Sequence, residues 1–390
     1  MWGRKIVTGL RLGGYPMREV MRRWTPWVFL PGRLVRRFPS DKVLRTIWPI
    51  IVLIFRVISS RAPKFSMPKQ SIGFVLGTPR NKTGPDLDDR AISWASECWP
   101  DVRQQRLSSA DVPGRLEEDS LVVVLYSWFQ DFQQFTRAEC LRKVIGLAYL
   151  LNKKRCSVLV PLPDTFKVSN SFFAGLLVSL SDGNIVLAQS SQVSARAYGL
   201  EKCISPVMWH WPEDTMLAWS NSKPLSLRPK KVAFAVTGDP RRVELLEEWA
   251  TTLERNGLQV WPSGHVERYS DYVRAARRLG VVVTTCYLQE RFITGPFWYR
   301  WRLAPDTVTG RVWEAFAAKS LLICNDNSEL RAFGFLPGQH FLDLPKRKSL
   351  ASWELPTESV MQSIATKGHE HFCQLRNESV RAMEHLVQRG

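Results

Sequence analysis

From residue 71 onward, short apolar runs alternate with stretches whose apolar positions recur at helical spacing. Continuous runs of β-branched and aliphatic residues bounded by Gly, Pro or polar turns read as buried strands. Residues 71–76 (SIGFVL) stop at Gly77, and strands follow at 121–126 (LVVVLY), 157–160, 184–188 (NIVLA) and 203–208. Between them, 138–151, 172–180 and 191–198 carry the helical period, and Pro161-Leu162-Pro163 reads as a turn. Residues 211–229 hold three prolines and show no clear period. The alternation then restarts: strand 231–236 (KVAFAV), amphipathic helix 241–256 closed by Gly257, strand 258–261, helix 269–279 and strand 281–285 (VVVTT). A helix through Arg311 and Glu314 precedes strand 321–324, a helical stretch at 328–333, a short strand at 340–344 and C-terminal helices over 359–388.

Alternating strands and helices on both sides of a proline-bearing stretch predict an α/β fold of two Rossmann-like domains facing a cleft. The expected organisation is a basic helical arm over 1–66, an N-terminal domain over 67–212, a linker over 213–228 and a C-terminal domain over 229–390. A chain of 390 residues with 45% apolar content can bury two such cores.

Charge sharpens this picture. Residues 1–66 hold fourteen Lys and Arg against Glu19 and Asp41, a net of +12, which leaves +6 of the total +18 for everything after them. Trp24, Trp27, Phe29 and the apolar run 47–54 lie within this arm, but Pro49 and Arg56 interrupt it short of the roughly 20 residues that span a bilayer. Cations mixed with Trp, Phe and Leu suit an anionic membrane surface. They equally suit a helical arm packed on the body with solvated charges, and they also suit a phosphate backbone, although no nucleic-acid module accompanies them. The seven cysteines show no C-x-x-C pair and several sit in apolar runs, which reads as reduced thiols of a cytoplasmic protein. No apolar core of a cleavable signal follows the basic start MWGRK.

The chemistry concentrates in 306–344, DTVTGRVWEAFAAKSLLICNDNSELRAFGFLPGQHFLDL. A carboxylate near the start of a helix that opens at the carboxyl edge of a sheet can accept hydrogen bonds from ribose hydroxyls. The order of loop, Arg311, Glu314, Ala315, Ala317 and strand resembles the nucleotide-sugar-binding domain of GT-B glycosyltransferases, of the group-1 and spore-maturation branch. Lys319 stands where that pattern has Gly, and Asp306 reproduces its acid-x7-acid spacing with Glu314, with Asp in place of Glu. The resemblance is specific over about 229–345 and architectural over 67–212. It implies a donor bound by the C-terminal half, with Glu314 on ribose and Arg311 on diphosphate, and an acceptor bound by the N-terminal half. Gly238-Asp239-Pro240-Arg241-Arg242 resembles the family's first loop of the C-terminal domain, where a glycine lets backbone approach phosphate and arginines supply forked donors. A capped helix with two solvated arginines would carry the same residues, and Arg311 and Glu314, three apart, could equally form a local ion pair.

Other groups admit two readings each. Asp86-Leu87-Asp88-Asp89 holds a D-x-D, but it follows a polar loop and reads as the acidic first turn of a helix, so no metal site is expected. His369 and His371 diverge on a helix and read as surface. His210, between Trp209 and Trp211, is the candidate acid/base or sugar neighbour, or else a structural histidine. The aromatic segment 297–302 (FWYRWR) could stack on sugar or base, face a membrane, or fill a core. The resemblance implies a transferase moving sugar from a nucleotide-sugar to a cell-surface polysaccharide or glycolipid, and this is the expected function. No cofactor besides that substrate is expected, and residues 1–66 are expected to touch the inner face of the membrane. A non-catalytic scaffold that kept the fold is the alternative, and a nucleic-acid-binding protein a third.

Overall fold

The computed structural model describes residues 72–77, 87–107, 115–130, 137–162, 173, 177, 185–189, 211–229, 231–234, 249–261, 273–274, 276–284, 308, 310–344 and 352–388. The first half contains β1 (Ile72–Leu76), α1 (Leu87–Cys98), β2 (Arg103–Leu107), β3 (Leu121–Val124), α2 (Tyr126–Gln130), α3 (Arg137–Lys153), β4 (Ser157–Leu162) and β5 (Ile185–Gln189). Its five strands form one parallel sheet in the order β2-β1-β3-β4-β5. β3 is buried at every residue, as a strand covered on both faces must be. One face packs Val75, Leu121, Val123 and Leu159 against Ala91, Trp94, Ala95 and Cys98 of α1.

The second half contains α4 (Glu213–Trp219), β6 (Lys231–Phe234), β7 (Gln259–Trp261), β8 (Val281–Val283), α5 (Gly310–Ala317), β9 (Leu321–Cys324), α6 (Ser328–Ala332), β10 (Leu342–Asp343) and α7 (Glu358–Gln388). A second parallel sheet has the order β10-β9-β8-β6-β7, which places 231–234 and 321–324 in one sheet. Counting strands within each half, both sheets read second-first-third-fourth-fifth. Strand side chains alternate between faces. Accordingly Val282, Leu322 and Cys324 join Trp313, Phe316 and Phe372 on one face, while Val281, Val283, Leu321 and Ile323 meet Trp249, Leu253 and Ile364 on the other.

Several elements differ from the sequence reading, among them the unread helices α2, which begins at Tyr126 where a strand was expected, and α4. β2 (RQQRL) went unread because Arg103, Gln105 and Arg106 are exposed while Leu107 is buried; it is an edge strand, where charge blunts further pairing. Pro161 and Leu162 extend β4 and pair with Ala188 and Gln189 of β5. Pairing of β4 with β3 ends at Leu159, so on that side Pro161 has no ladder bond to lose. The C-terminal helices are a single helix of 31 residues.

The proline-bearing stretch is packed structure. Trp211 and Trp219 are fully buried, with their rings 6.1 Å apart. Arg228, 5% exposed, donates to the carbonyls of Asn221 (3.1 Å), Lys223 (2.9 Å) and Ala318 (3.0 Å). Burial lowers its pKa to about 10 and leaves it charged at neutral pH, where it holds this segment to the carboxyl end of α5. Residues 1–66, and the strand and helix expected at 203–208 and 191–198, lie outside the described residues. Among the described residues no helix is long and apolar enough to cross a membrane.

Candidate functional site

In a parallel sheet all strand carboxyl ends share one edge, and each connecting helix begins there. α5 runs between β8 and β9, so Gly310 opens it at the carboxyl edge of the second sheet. Val312 to Ala317 are all buried, which anchors the helix and leaves its first turn to carry the polar side chains. Arg311 Nη1 donates to Glu314 Oε2 at 2.7 Å, and the side chains keep 27% and 10% of their exposure. The local ion pair that the three-residue spacing allows is therefore formed. The pair sets a carboxylate and a guanidinium side by side at a helix start, which is an arrangement able to meet a hydroxyl and an anion.

The far end of α5 explains Lys319. Lys319 N bonds Phe316 O and Ser320 N bonds Ala315 O, each at 3.0 Å, the paired closure that requires a left-handed residue after the helix. Lys319 adopts it with φ 52°. The backbone shape for which glycine is the usual residue is thus kept by a lysine, at the end of the helix remote from Arg311 and Glu314.

Two further residues shape this edge and went unread. Asn327 follows β9, is 4% exposed, and accepts from Glu329 N (2.8 Å) and Leu330 N (3.1 Å) to cap α6. Glu329, 1% exposed, accepts from Val308 N at 3.1 Å and so pins the backbone two residues ahead of α5. An Asn just before a short helix was a visible cap signal; the bond from Glu329 to a residue 21 positions earlier was not. Beside them Asp326 grips Arg331, whose hydrogen bonds hold its carboxyl below the usual range, and Asp326 N donates to Asp343 Oδ1 at 2.8 Å. The ends of β9 and β10 are thereby joined.

At the matching edge of the first sheet, Asp88 and Asp89 form the first turn of α1, as the acidic-turn reading had it. Asp89 pairs with Arg106 at 2.7 Å, and Asp88, 4% exposed, accepts from Ser127 N at 3.5 Å. Gly77 at the end of β1 lies against this cluster, since a Cβ there would stand 2.6 Å from Ser127 Oγ.

His369 and His371 are not simple surface residues. His369 Nδ1 lies 2.8 Å from Phe316 O and His371 Nε2 2.8 Å from Phe333 O, so each ring ties α7 to the site-bearing layer. Their directions diverge as expected. The structure brings Arg311 and Glu314 together; His210, Gly238, Arg241, Arg242, Asp306 and the aromatic segment 297–302 lie outside the described residues.

No protein-family model matches the chain, and no curated protein matches it. Among solved structures it is similar to Anabaena HepE in complex with UDP, at 10% identity and a TM-score of 0.46, covering 82% of this chain and 99% of that one. The same Anabaena protein with UDP and glucose aligns at 10% identity and a TM-score of 0.48, covering 81% and 98%. With UDP-glucose it aligns at 9% identity and a TM-score of 0.45, covering 82% and 98%. Likenesses of that size assign no activity to this chain.

Proposed function

We propose that this chain is a glycosyltransferase of the GT-B kind that takes a sugar from a nucleotide-sugar and passes it to a hydroxyl of a cell-surface polysaccharide or glycolipid. The observation that carries the reading is the placement of Arg311 and Glu314 at the opening of α5, on the carboxyl edge of a parallel sheet, in the sequence frame that resembles the donor-binding segment. In this reading Glu314 accepts from ribose hydroxyls and Arg311 faces the diphosphate. Arg241, Arg242 and the Gly238 turn, which follow β6 in sequence, meet the same anion, and Asp306 is a further donor contact. As the sugar leaves, negative charge grows on the diphosphate; guanidinium groups and a helix N-terminus can stabilise it without a metal. His210 is the proposed acid/base on the acceptor side. The reaction belongs to the cytoplasm, with residues 1–66 resting on the inner face of the membrane through their +12 charge.

One observation favours a second reading, a non-catalytic scaffold with this fold: Glu314 already satisfies Arg311 locally. Thermal melts with a panel of nucleoside diphosphates and their sugars separate the readings. The transferase reading expects stabilisation that grows as RT ln(1 + [L]/Kd), about 2.7 kcal/mol at a hundredfold excess over Kd, together with slow donor hydrolysis. Binding without hydrolysis, or the absence of any nucleotide-dependent shift, removes the transferase and leaves the scaffold.

A further inference from the structure

Away from the donor edge, the middle of α7 carries a second chemical cluster. His369 and Cys373 are one helical turn apart, and Cys373 Sγ lies 3.6 Å from His369 Nε2. The tautomer follows from the neighbours. Phe316 O can only accept, so Nδ1 carries the ring proton and Nε2 is the lone-pair nitrogen, to which the thiol donates. Both side chains line an open pocket of about 490 Å³ along α7, together with Glu370, Gln374, Asn377, Glu378 and Arg381.

This arrangement has the features of a half-built soft-metal site. Zinc bonds thiolate sulfur at about 2.3 Å and imidazole nitrogen at about 2.0–2.1 Å, which in a tetrahedron sets the two ligand atoms about 3.5 Å apart. The observed separation is 3.6 Å. Metal-bound histidines almost always donate their other ring N–H to a carbonyl or carboxylate, which fixes ring and tautomer; Phe316 O already does this for His369. Among the described residues no group of three His, Cys, Asp or Glu could hold a metal. The site therefore offers two protein ligands and leaves the remaining positions to water or an exchangeable ligand from the cavity. As a nucleophile the thiol is poorly placed, since burial pushes its pKa up and keeps it protonated.

We infer that His369 and Cys373 form a two-point binding site for a thiophilic divalent cation of the zinc type, separate from the donor site and outside the transfer reaction. Binding replaces the S–H···N hydrogen bond by an Sγ–metal–Nε2 bridge, and the thiol proton leaves to solvent, one per metal bound. The bridge clamps one turn of α7, and through Phe316 O it tightens the seat of that helix on α5.

Titration of the intact protein with Co²⁺ and Zn²⁺ tests this. Expected are a cobalt–thiolate charge-transfer band saturating at one metal per chain, displacement of cobalt by zinc, release of one proton in calorimetry across buffers, and a higher Tm with zinc. Cys373→Ser, nearly isosteric, should abolish the band. It should also weaken zinc binding by at least the roughly 10–100-fold that loss of a mere outer-shell partner costs. His369→Gln should weaken it comparably, while Glu358→Gln, at the far end of the same helix, should leave it unchanged. The metal titrations are run without nucleotide and the nucleotide titrations without metal, so this site and the transferase reading can fail separately. A wild-type protein without the band, or a band that survives Cys373→Ser in a folded variant, overturns the inference.

Discussion

The carboxylate of Glu314 already holds Arg311 at 2.7 Å, so a ribose hydroxyl must share its oxygens with a guanidinium. If it does, Glu314→Gln weakens nucleoside diphosphate binding by about 1–3 kcal/mol, the scale of hydrogen bonds to a charged group. Arg311→Ala then loses more affinity for the diphosphate than for the nucleoside. If the pair is only a helical ion pair, both changes cost stability of about 0.5 kcal/mol or less and leave affinity alone. Titration calorimetry distinguishes the cases. Lys319 supports a separate prediction, because a side chain at φ 52° is strained where glycine is not. Lys319→Gly should stabilise the protein by about 1 kcal/mol in urea denaturation with the m-value unchanged. A neutral or destabilising result would show that contacts of the lysine outweigh the strain.

The contact between α5 and α7 is set by side chains that let two helices approach. Gly368 faces it: a Cβ there would stand 2.5 Å from His340 O and 2.9 Å from the Phe316 ring. Next to it, the rings of His340 and His371 stack with centroids 4.9 Å apart, and His340 Nδ1 accepts from Leu336 N at 2.9 Å. A protonated His340 could not accept that bond. Burial first, then the neighbouring His371 and Lys367, lowers its pKa below the ordinary value of 6.5. The folded state therefore binds a proton here less readily than the unfolded chain. Its stabilisation is complete above about pH 6.5 and is lost as pH falls toward and through the lowered folded value. Melting temperatures should be level above neutrality and decline on acidification, and His340→Phe should show a shallower decline. Equal slopes in the two proteins would remove His340 as the cause.

Across the whole molecule, α7 is the element that belongs to both halves. At 1.5 Å per residue its 31 residues run about 46 Å. Ile364, Ala365 and Phe372 lie in the cores of the second sheet, while Val380 and Met383 join the core of the first. Between them Arg376 pairs with Glu97 of α1 and donates to Trp211 O at 3.2 Å, and Glu97 also accepts from Glu213 N. Arg90 of α1 lies 5.3 Å from the centre of the Trp211 ring, adding a cation–π contact at the same junction. Arg376→Met should cost about 2 kcal/mol and separate the melting of the halves. In scanning calorimetry this appears as a van't Hoff enthalpy smaller than the calorimetric one; a single unchanged transition would place the coupling elsewhere.

The apolar runs at 121–124 and 321–324 were legible because a strand covered on both faces is apolar at every residue, a property of the local sequence alone. Arg311 and Glu314 were legible for a similar reason, since residues three apart share a helix face wherever that helix lies. What escaped the sequence depends on partners distant along the chain. β2 is polar because it is an edge, and its neighbour β1 is some 30 residues away. Pro161 is tolerated in β4 only because β3 has already ended. Glu329 matters through Val308, Arg228 through Ala318, and His369 through Phe316. Periodicity reports which side of a segment is buried, whereas the identity of what buries it is decided when the sheets close and bring those carbonyls and amides within hydrogen-bonding reach.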